Sequence, residues 1–296
     1  MKLAKRIGLG LSGLIVLLIV AVFILNLVGT NRMQNAPEVA ARSVPVPTDA
    51  DALARGQHLS YIMGCVSCHG ADLQGAPFTA DPAINLYLPA PNLTTGQGGV
   101  AATYTDTDWV RAIRHGIGQD GRVLGAMPSN FFANLNDDDL GALIAYTKSV
   151  PPVDNDLGPR QINFPASLIF GTLAYNDLPV ANIDHDNTGL AKPAAGPTAE
   201  YGAYLAGITA CGDCHGFNLE GRPPEAAEQG PPAGPDLTPG SRSSGWTAEQ
   251  FAMALRTGHT PDGQQLSSEM PWAYYSVMSD DEVQAIWLYL QSIPAR

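Results

Sequence analysis

Two copies of one short motif constrain this chain more than any other feature of its sequence. Each copy has the form Cys-x-x-Cys-His, and the second follows the first by 146 positions in a chain of 296 residues. The four cysteines of the chain all lie in these two copies. The motif residues are Cys65, Cys68 and His69 in the first copy and Cys211, Cys214 and His215 in the second. Any fold of this chain must therefore place the same chemistry twice.

The residues around the two motifs repeat as well. Gly56 matches Gly202 at the same spacing, and further on a Met-Pro pair at Met127 matches one at Met270. The spacing drifts only slightly, as short changes in loop length would produce. We interpret the chain as one domain of about 100 residues written twice, a usual size for a small domain. The predicted copies are residues 48–152 and 198–296, joined by a packed linker at residues 153–197.

Each copy has the pattern of short helices separated by loops rich in Gly and Pro. Thr247 with Gln250, and Ser279 with Glu282, form capping-box patterns at two predicted helix starts. The last helix of each copy carries its apolar residues on one face. The predicted helices cover residues 49–63, 106–114 and 137–149, and then 198–209, 248–256 and 280–292. Strand alternation is not convincing anywhere, so the predicted fold class is all-α.

The amino terminus has the composition of a membrane-spanning segment. Residues 7–28 carry no charge, and as a helix they would rise about 33 Å, enough to cross a hydrocarbon core of about 30 Å. Lys2, Lys5 and Arg6 precede this run, so the positive-inside rule keeps the amino terminus cytoplasmic and exports the rest. We predict a transmembrane anchor at residues 1–29 and a polar tether at residues 30–47.

A cleaved signal peptide is the alternative to an anchor. The apolar region of a signal peptide is usually shorter, about 7–15 residues, which favours the anchor. Under either interpretation the folded part lies outside the cytoplasm. With an uncleaved anchor, the predicted location is the bacterial inner membrane, crossed once, with the repeated domains on the periplasmic side.

The chain is acidic, with a formal net charge of −12 at pH 7. Nucleic-acid binding needs a basic footprint, so we predict no nucleic-acid partner. The acidity is compatible with a protein partner that presents a basic docking patch, because complementary charge raises the rate of encounter. It is equally compatible with charge that only keeps an exposed domain soluble.

Cys-x-x-Cys-His is the attachment signature of c-type haem. Two thiols at this spacing can reach the two vinyl groups on one edge of the porphyrin, and the adjacent histidine then presents its imidazole to the iron. A zinc site and a redox dithiol are the alternatives, and either can use a lone Cys-x-x-Cys pair. Neither alternative explains a histidine directly after both pairs or a Met-Pro beyond each. We therefore predict two covalently bound haem c groups.

Each iron needs a second axial ligand on its opposite face. Met127 and Met270 occupy matching places in the two copies, and a Met thioether favours ferrous iron and raises the redox potential. His115 and His259 are rival ligands, but they align with a threonine and an isoleucine in the other copy. A ligand should occupy the same place in both copies. We predict iron ligation by His69 with Met127 and by His215 with Met270.

Two further pairs of repeated residues are candidates for binding the cofactor. The carbonyl groups of Pro91 and Pro235 can accept the Nδ1–H of the motif histidines and so fix the orientation of each ring. Arg114 and Arg256 can pair with haem propionates, because a guanidinium suits a carboxylate. No acid–base cluster is apparent, so we predict no catalytic residue.

From Arg114-His-Gly through Met127-Pro, and again from Arg256 through Met270-Pro, the sequence resembles class I cytochrome c domains in tandem. It is most similar to the cytochrome c subunits of bacterial membrane-bound alcohol, aldehyde and gluconate dehydrogenases, over roughly residues 52–294. The resemblance implies short helices wrapped around haem, here in two domains behind one amino-terminal transmembrane helix. Those subunits typically hold three haems and take electrons from a catalytic partner to quinone or a terminal acceptor. This chain has two motifs and an amino-terminal anchor, which are departures from that pattern.

These observations leave three functions to compare. The first is an electron carrier without catalysis of its own, linking a donor, expected to be a dehydrogenase, to the respiratory chain. The second is a dihaem redox enzyme, a peroxidase or a thiosulfate-type oxidoreductase, which needs one iron with an open position. The third is a tethered shuttle that feeds a terminal haem–copper oxidase. The matching Met-Pro in both copies favours a carrier over an enzyme.

Overall fold

The computed structural model describes residues 2–225 and 233–295. Its first element is the long helix α1 (Lys2–Gln34), whose apolar side chains are exposed over most of its length. Among the described residues it is the one helix long and apolar enough to cross a membrane, by length and composition alone. A helix of this kind near the amino terminus is consistent with either an anchor or a signal sequence.

Helix α1 extends five residues into the predicted tether, and the remainder of the tether packs against the first copy. Met33 is buried, and its carbonyl oxygen accepts a hydrogen bond from the amide of Val123 over 3.1 Å. The amide of Ala36 donates to the carbonyl of Gly121 over 2.8 Å. Val44 is buried in the hydrophobic core that the two copies share. The tether therefore fixes the first copy to the end of α1.

The first copy contains five α-helices, and its first, middle and last helices begin close to the three predicted positions. Asp49 caps one of them, Thr105 forms a capping box with Asp108, and Asn136 caps the last. These side chains satisfy amide groups that the first helical turn leaves without partners. The helices are α2 (Ala50–Ile62), α3 (Cys65–His69), α4 (Asp106–His115), α5 (Ser129–Phe132) and α6 (Asp137–Ser149).

A small antiparallel sheet, which the sequence pattern did not predict, follows the first motif. Its strands are β1 (Ala76–Asp81), β2 (Leu86–Ala90) and β3 (Gln161–Ile162), in that spatial order. The two longer strands do not alternate between buried and exposed residues, and a bulge between Pro77 and Thr79 interrupts their register. The period of two by which a strand is recognised in a sequence is therefore absent here.

The linker packs along the protein, as its apolar residues predict. Its short helix α7 (Ala166–Leu168) lies against α1, where the Ser167 hydroxyl donates to the Asn26 side chain over 2.6 Å. Gly171 approaches the backbone of Gly29 so closely that a Cβ would clash there. The linker thus touches the last turns of the apolar helix.

The second copy repeats the helices of the first. Thr198 caps its first helix, and capping boxes are present at Thr247 with Gln250 and at Ser279 with Glu282, as the sequence predicts. The helices are α8 (Ala199–Ile208), α9 (Cys211–His215), α10 (Ala248–Thr257), α11 (Trp272–Tyr275) and α12 (Asp280–Ser292). The predicted architecture, two helical copies behind one long apolar helix, is confirmed.

The first and last helices of each copy cross at a glycine. A Cβ on Gly56 would clash with the carbonyl oxygen of Ala142 in α6, and a Cβ on Gly202 would clash with that of Ala285 in α12. The repeated glycines therefore let two helix backbones approach within a distance that no other residue allows.

Replacing Gly202 with alanine is expected to lower the free energy of unfolding by about 1–3 kcal/mol, because α8 and α12 must move apart. Gly207→Ala is the matched control in the same helix, since nothing lies within 4 Å of its added methyl group. That variant should be neutral or slightly more stable, because alanine favours a helix by about 1 kcal/mol. Thermal unfolding followed by circular dichroism distinguishes the Gly202→Ala variant from the Gly207→Ala variant. Equal melting temperatures would contradict the close contact of α8 with α12 at Gly202.

A charged network joins the two copies. The Arg55 guanidinium binds Asp139 of its own copy through two bonds of 3.0 Å and Glu282 of the second copy over 3.1 Å. His58 lies 2.8 Å from Glu282, and Tyr204 donates to Asp139 over 2.8 Å. His58 and Tyr204 occupy matching positions, as do Asp139 and Glu282, so each copy binds the acidic residue of the other in the same way.

Candidate functional site

One continuous cavity of about 890 Å³ contains residues from both copies of the motif. Its lining is mainly apolar and includes the beginning of each motif helix. The predicted site residues that line it are Cys65, Cys68, His69, Pro91, Met127, Cys211, Cys214, His215, Pro235 and Met270. The structure thus brings together all predicted site residues except the two arginines.

The two motif histidines are held in the same way. His69 donates its Nδ1–H to the carbonyl oxygen of Pro91 over 2.8 Å, and His215 donates to that of Pro235 over 2.7 Å. Burial lowers the pKa of both imidazoles, against the opposing effect of these hydrogen bonds. Each ring is therefore neutral and oriented through Nδ1, which leaves the Nε2 electron pair for a metal ion.

The motif cysteines lie on single helical turns, and none forms a disulfide. Burial raises the pKa of Cys65 to about 12 and also raises the pKa of Cys211 and Cys214. A redox dithiol needs a lowered pKa, so this environment disfavours that alternative. Among residues 2–225 and 233–295, no group of three or more His, Cys, Asp or Glu side chains is arranged to hold a metal ion.

The two methionines occupy equivalent turns. Met127 lies just before α5, where its carbonyl accepts a hydrogen bond from the amide of Ser129 over 2.7 Å. Met270 lies just before α11, where its carbonyl accepts one from the amide of Trp272 over 2.8 Å. Both side chains line the cavity. The repeat of a local turn thus positions the same thioether in both copies.

The rival histidines do not line the cavity. His115 is buried against His185 of the linker, with the two Nδ1 atoms 2.9 Å apart. Burial first, and then the charges of His185 and nearby arginines, lower the pKa of His115 to about 4. His259 lies within 2.9 Å of the Thr257 carbonyl in its own loop. The structure therefore leaves the methionines as the only ones of these candidates that reach the site.

The two predicted arginines bind elsewhere. Arg114 is 1% exposed and donates to the carboxylate of Asp137 over 2.8 Å and to the carbonyl of Leu135. Arg256 pairs with Asp280 over 2.7 Å. Neither lines the cavity, and both bind carboxylates of their own copy, so the pairing with haem propionates stays a prediction. The repeat of these arginines also has a structural reason, because each ties the middle helix of its copy to the first residue of the last helix.

Three further polar residues line the cavity, and two of them were not predicted from the sequence to be site residues. Arg122 and Arg160 line the cavity; the position that matches Arg122 in the second copy is a glutamine, and Arg160 lies in the linker, outside the repeat. Because neither arginine is repeated, the internal repeat does not indicate them as site residues. Trp109 also lines the cavity, and its buried indole N–H has no partner among the described groups. Such a donor suits an acceptor carried by a bound group.

The donor set in each half therefore fits a haem. Two thiols lie on one turn, followed by a neutral imidazole held through Nδ1, and a thioether lines the same cavity. In the first half an unpartnered indole N–H and two guanidinium groups are added. Apolar walls with a few convergent polar groups are typical of cofactor sites.

Comparisons with known proteins agree with this chemistry. The chain is 28% identical over 274 residues to the cytochrome c subunit of a quinone-dependent alcohol dehydrogenase from Gluconobacter oxydans (strain 621H), covering 83% of this chain and 56% of that subunit. It is 28% identical over 296 residues to the fructose dehydrogenase cytochrome subunit of Gluconobacter japonicus, covering 92% of this chain and 58% of that subunit. The chain thus spans little more than half the length of these relatives.

A third relative matches along nearly its whole length. It is a dihaem c-type cytochrome from Cereibacter sphaeroides, 26% identical over 284 residues, with 85% of this chain and 91% of the relative covered. The family model for cytochrome c matches residues 53–151 and again residues 199–294, which together exceed half of the chain. The chain belongs to the cytochrome c family, whose domains bind haem c.

Proposed function

We propose that this chain is a membrane-anchored dihaem cytochrome c that passes electrons from a dehydrogenase toward the respiratory chain and has no catalysis of its own. The observation that carries the proposal is the single cavity lined by both Cys-x-x-Cys-His motifs and by both methionines. Cofactors held at the two motifs would share this cavity, an arrangement that would suit electron transfer between them.

In this proposal Cys65 with Cys68, and Cys211 with Cys214, hold one haem each through thioether bonds. His69 and Met127 would hold the iron of the first half, and His215 and Met270 would hold that of the second half. Bound haem c supplies one-electron chemistry at its iron. A histidine and a methionine on each iron would leave no position for a substrate, which favours a carrier over an enzyme.

The remaining site residues orient the motif histidines and tune the redox potential. The carbonyl groups of Pro91 and Pro235 hold each imidazole through Nδ1 and increase its basicity as a ligand. The apolar lining keeps water away from the cofactor, and the thioether ligands favour the reduced state. These effects set a redox potential and require no group to gain or lose a proton.

Helix α1 and the relatives support the proposed location and partner. Helix α1 is proposed to remain as an anchor in the bacterial inner membrane, with the two copies, residues 48–152 and 198–296, in the periplasm. The relatives from Gluconobacter are named as subunits of dehydrogenases, which supports a dehydrogenase as the electron donor. The acidic surface suits a partner with a basic docking patch.

The test is a haem count and an optical redox titration on the full chain in detergent. The pyridine haemochrome assay is expected to give two haems per chain. The ferric Met–iron charge-transfer band should account for both haems, and the reduced protein should not bind carbon monoxide. A haem that lacks the Met band and binds carbon monoxide would instead identify an open site and a dihaem enzyme.

A further inference from the structure

The charges that line the cavity are distributed unequally between its two halves. Among the described residues, six charged side chains line it. Arg122 belongs to the first copy, and the linker residues Arg160 and Asp156 lie against that copy at Val123 and Gly98, so these three are assigned to the first half. Asp213, Asp236 and Glu269 belong to the second copy and are assigned to the second half. The lining of the first half therefore has a net charge of about +1 and that of the second about −3, if every group has its usual charge at neutral pH.

The internal repeat shows that this difference arises position by position. Arg122 matches Gln264, and both line the cavity. The first half therefore carries a positive charge where the second half has a neutral side chain. Ser67 matches Asp213 between the two cysteines of each motif, and Ala126 matches Glu269 directly before each methionine. At each of these places the second half is one charge more negative. Arg222, which donates to the carbonyl of Asp213 over 2.9 Å and has an alanine at its matching position, offsets part of the charge of Asp213, and burial raises the pKa of that carboxyl.

A fourth matched pair differs in charge while keeping its structural task. The Asn92 side chain accepts a hydrogen bond from the Thr94 amide over 2.9 Å, and the Asp236 carboxylate accepts one from the Thr238 amide over 2.7 Å. Both side chains line the cavity, directly after the prolines that hold the motif histidines. The local turn is the same in both copies, but the second copy adds a negative charge.

Arg160 has no counterpart, and its position links the first half to the membrane helix. It donates to the carbonyl oxygen of Val123 and, over 3.2 Å, to that of Met33 near the end of α1. Burial, and then the charge of Arg122, lower the pKa of Arg160 to about 10, so it remains a cation at neutral pH. Arg122 also pairs with Asp120 over 3.0 Å, but an aspartate occupies the matching position 262, so this partner does not remove the difference between the halves.

Fixed charge near a redox centre changes its electron affinity. Reduction lowers the positive charge of the iron centre by one, so a nearby cation stabilises the reduced form and a nearby carboxylate destabilises it. Inside a protein the charges are poorly screened, and the effect is larger than it would be in water.

We propose that the first site holds an electron more tightly than the second, so that electrons enter at the second copy and collect at the first, beside α1. This inference rests on the proposed function and adds a direction to it. The step is a one-electron transfer in which the ferrous iron of the second site becomes ferric and the ferric iron of the first site becomes ferrous. The dehydrogenase supplies the electron, and no proton or bond changes place.

The experiment exchanges charges between the halves by using the residues of the chain itself. Arg122→Gln introduces the residue of the second copy into the first, and Asp213→Ser introduces the residue of the first copy into the second. Arg42→Gln is the matched control, because Arg42 is 63% exposed, pairs with Asp137 and does not line the cavity. Each full-length variant is titrated potentiometrically in detergent after its haem count and Met band have been recorded.

The unmodified chain is expected to titrate in two waves whose affinities for the electron differ at least tenfold, which is 59 mV for a one-electron couple. Arg122→Gln should lower mainly the upper wave, and Asp213→Ser should raise mainly the lower wave, so each variant narrows the gap. Arg42→Gln should move neither wave. Combining the two cavity substitutions should narrow the gap further than either one alone.

The reverse assignment would overturn the inference. If Arg122→Gln lowers mainly the lower wave, or if the two waves coincide in the unmodified chain, the first site is not the stronger acceptor. Either result, obtained with two haems and both Met bands present, would leave the carrier function intact. A preparation with fewer haems or a missing Met band would contradict the proposed function itself, and the proposed direction with it.

Discussion

Replacing Cys211 and Cys214 together with alanine is expected to halve the haem content, from two haems per chain to one. Both cysteines line the second half of the cavity, and without their thiols the second haem has no covalent attachment. The pyridine haemochrome assay on the purified full chain measures the ratio directly. The Met–iron charge-transfer band should fall in the same proportion, because Met270 loses its iron.

Two controls accompany this variant. Met253→Ala changes an exposed methionine that has no counterpart in the first copy, and it should retain two haems. Replacing Cys65 and Cys68 with alanine should also halve the content, and its remaining haem should titrate at a different potential from that of the first variant. If the chain without Cys211 and Cys214 still carried two covalent haems, the assignment of the second motif would be wrong.

Arg55→Met is expected to lower the free energy of unfolding at pH 7 by about 3 kcal/mol, because it leaves two buried carboxylates without their shared cation. The side chain of Asp139 is 1% exposed and that of Glu282 is 7% exposed. Since Glu282 belongs to the other copy, the interface between the copies should loosen first. Chemical denaturation of the haem-loaded chain, followed through its absorption and circular dichroism, measures the loss.

The destabilisation caused by Arg55→Met should become smaller in acid. Burial alone would raise the pKa of Asp139, but its bonds with Arg55 and Lys192 outweigh burial and lower the pKa to about 2. The pKa of Glu282 is likewise lowered to about 2, through bonds with His58 and the Ser279 amide and through the charge of Arg55, against the effect of burial.

A lowered folded-state pKa contributes stability above the unfolded-state value of about 4, and that stability disappears as the pH falls toward about 2. The difference between the native chain and Arg55→Met should therefore shrink over that pH range. Arg42→Met removes an exposed ion pair with Asp137 and should cost no more than about 1 kcal/mol at pH 7. A cost as large as that of Arg55→Met would show that burial of the network is not what makes it stabilising.

Most of the helical architecture was predictable because its signals are local. The predicted last helices, residues 137–149 and 280–292, agree with α6 and α12, since a polar cap and a Val-Pro or Ile-Pro ending lie within a few residues of each helix. The small sheet was not predictable, because β1 and β2 contain prolines and a bulge and show no period of two. Its partner strand β3 comes from the linker, about 70 residues further along the chain.

The candidate site likewise contains residues that the sequence predicted and residues that it did not. The sequence identified the cysteines, histidines, prolines and methionines that line the cavity because each lies at a matched position in the repeat. The same criterion selected Arg114 and Arg256, which are repeated for packing against the last helix, and it passed over Arg122 and Arg160, which are not repeated. Repetition identifies what both copies need, but it does not distinguish a cofactor contact from a structural one.

The sequence by itself determined the chemistry of the two motifs, the repeat and the helix ends, because each of these depends on residues that are close together in the chain. Only the tertiary structure decided that the two motifs share one cavity, that the tether packs on the first copy, and which charges face each half. Such features depend on which surfaces meet. Arg55 and Glu282 lie 227 positions apart, and no local pattern in the sequence relates them.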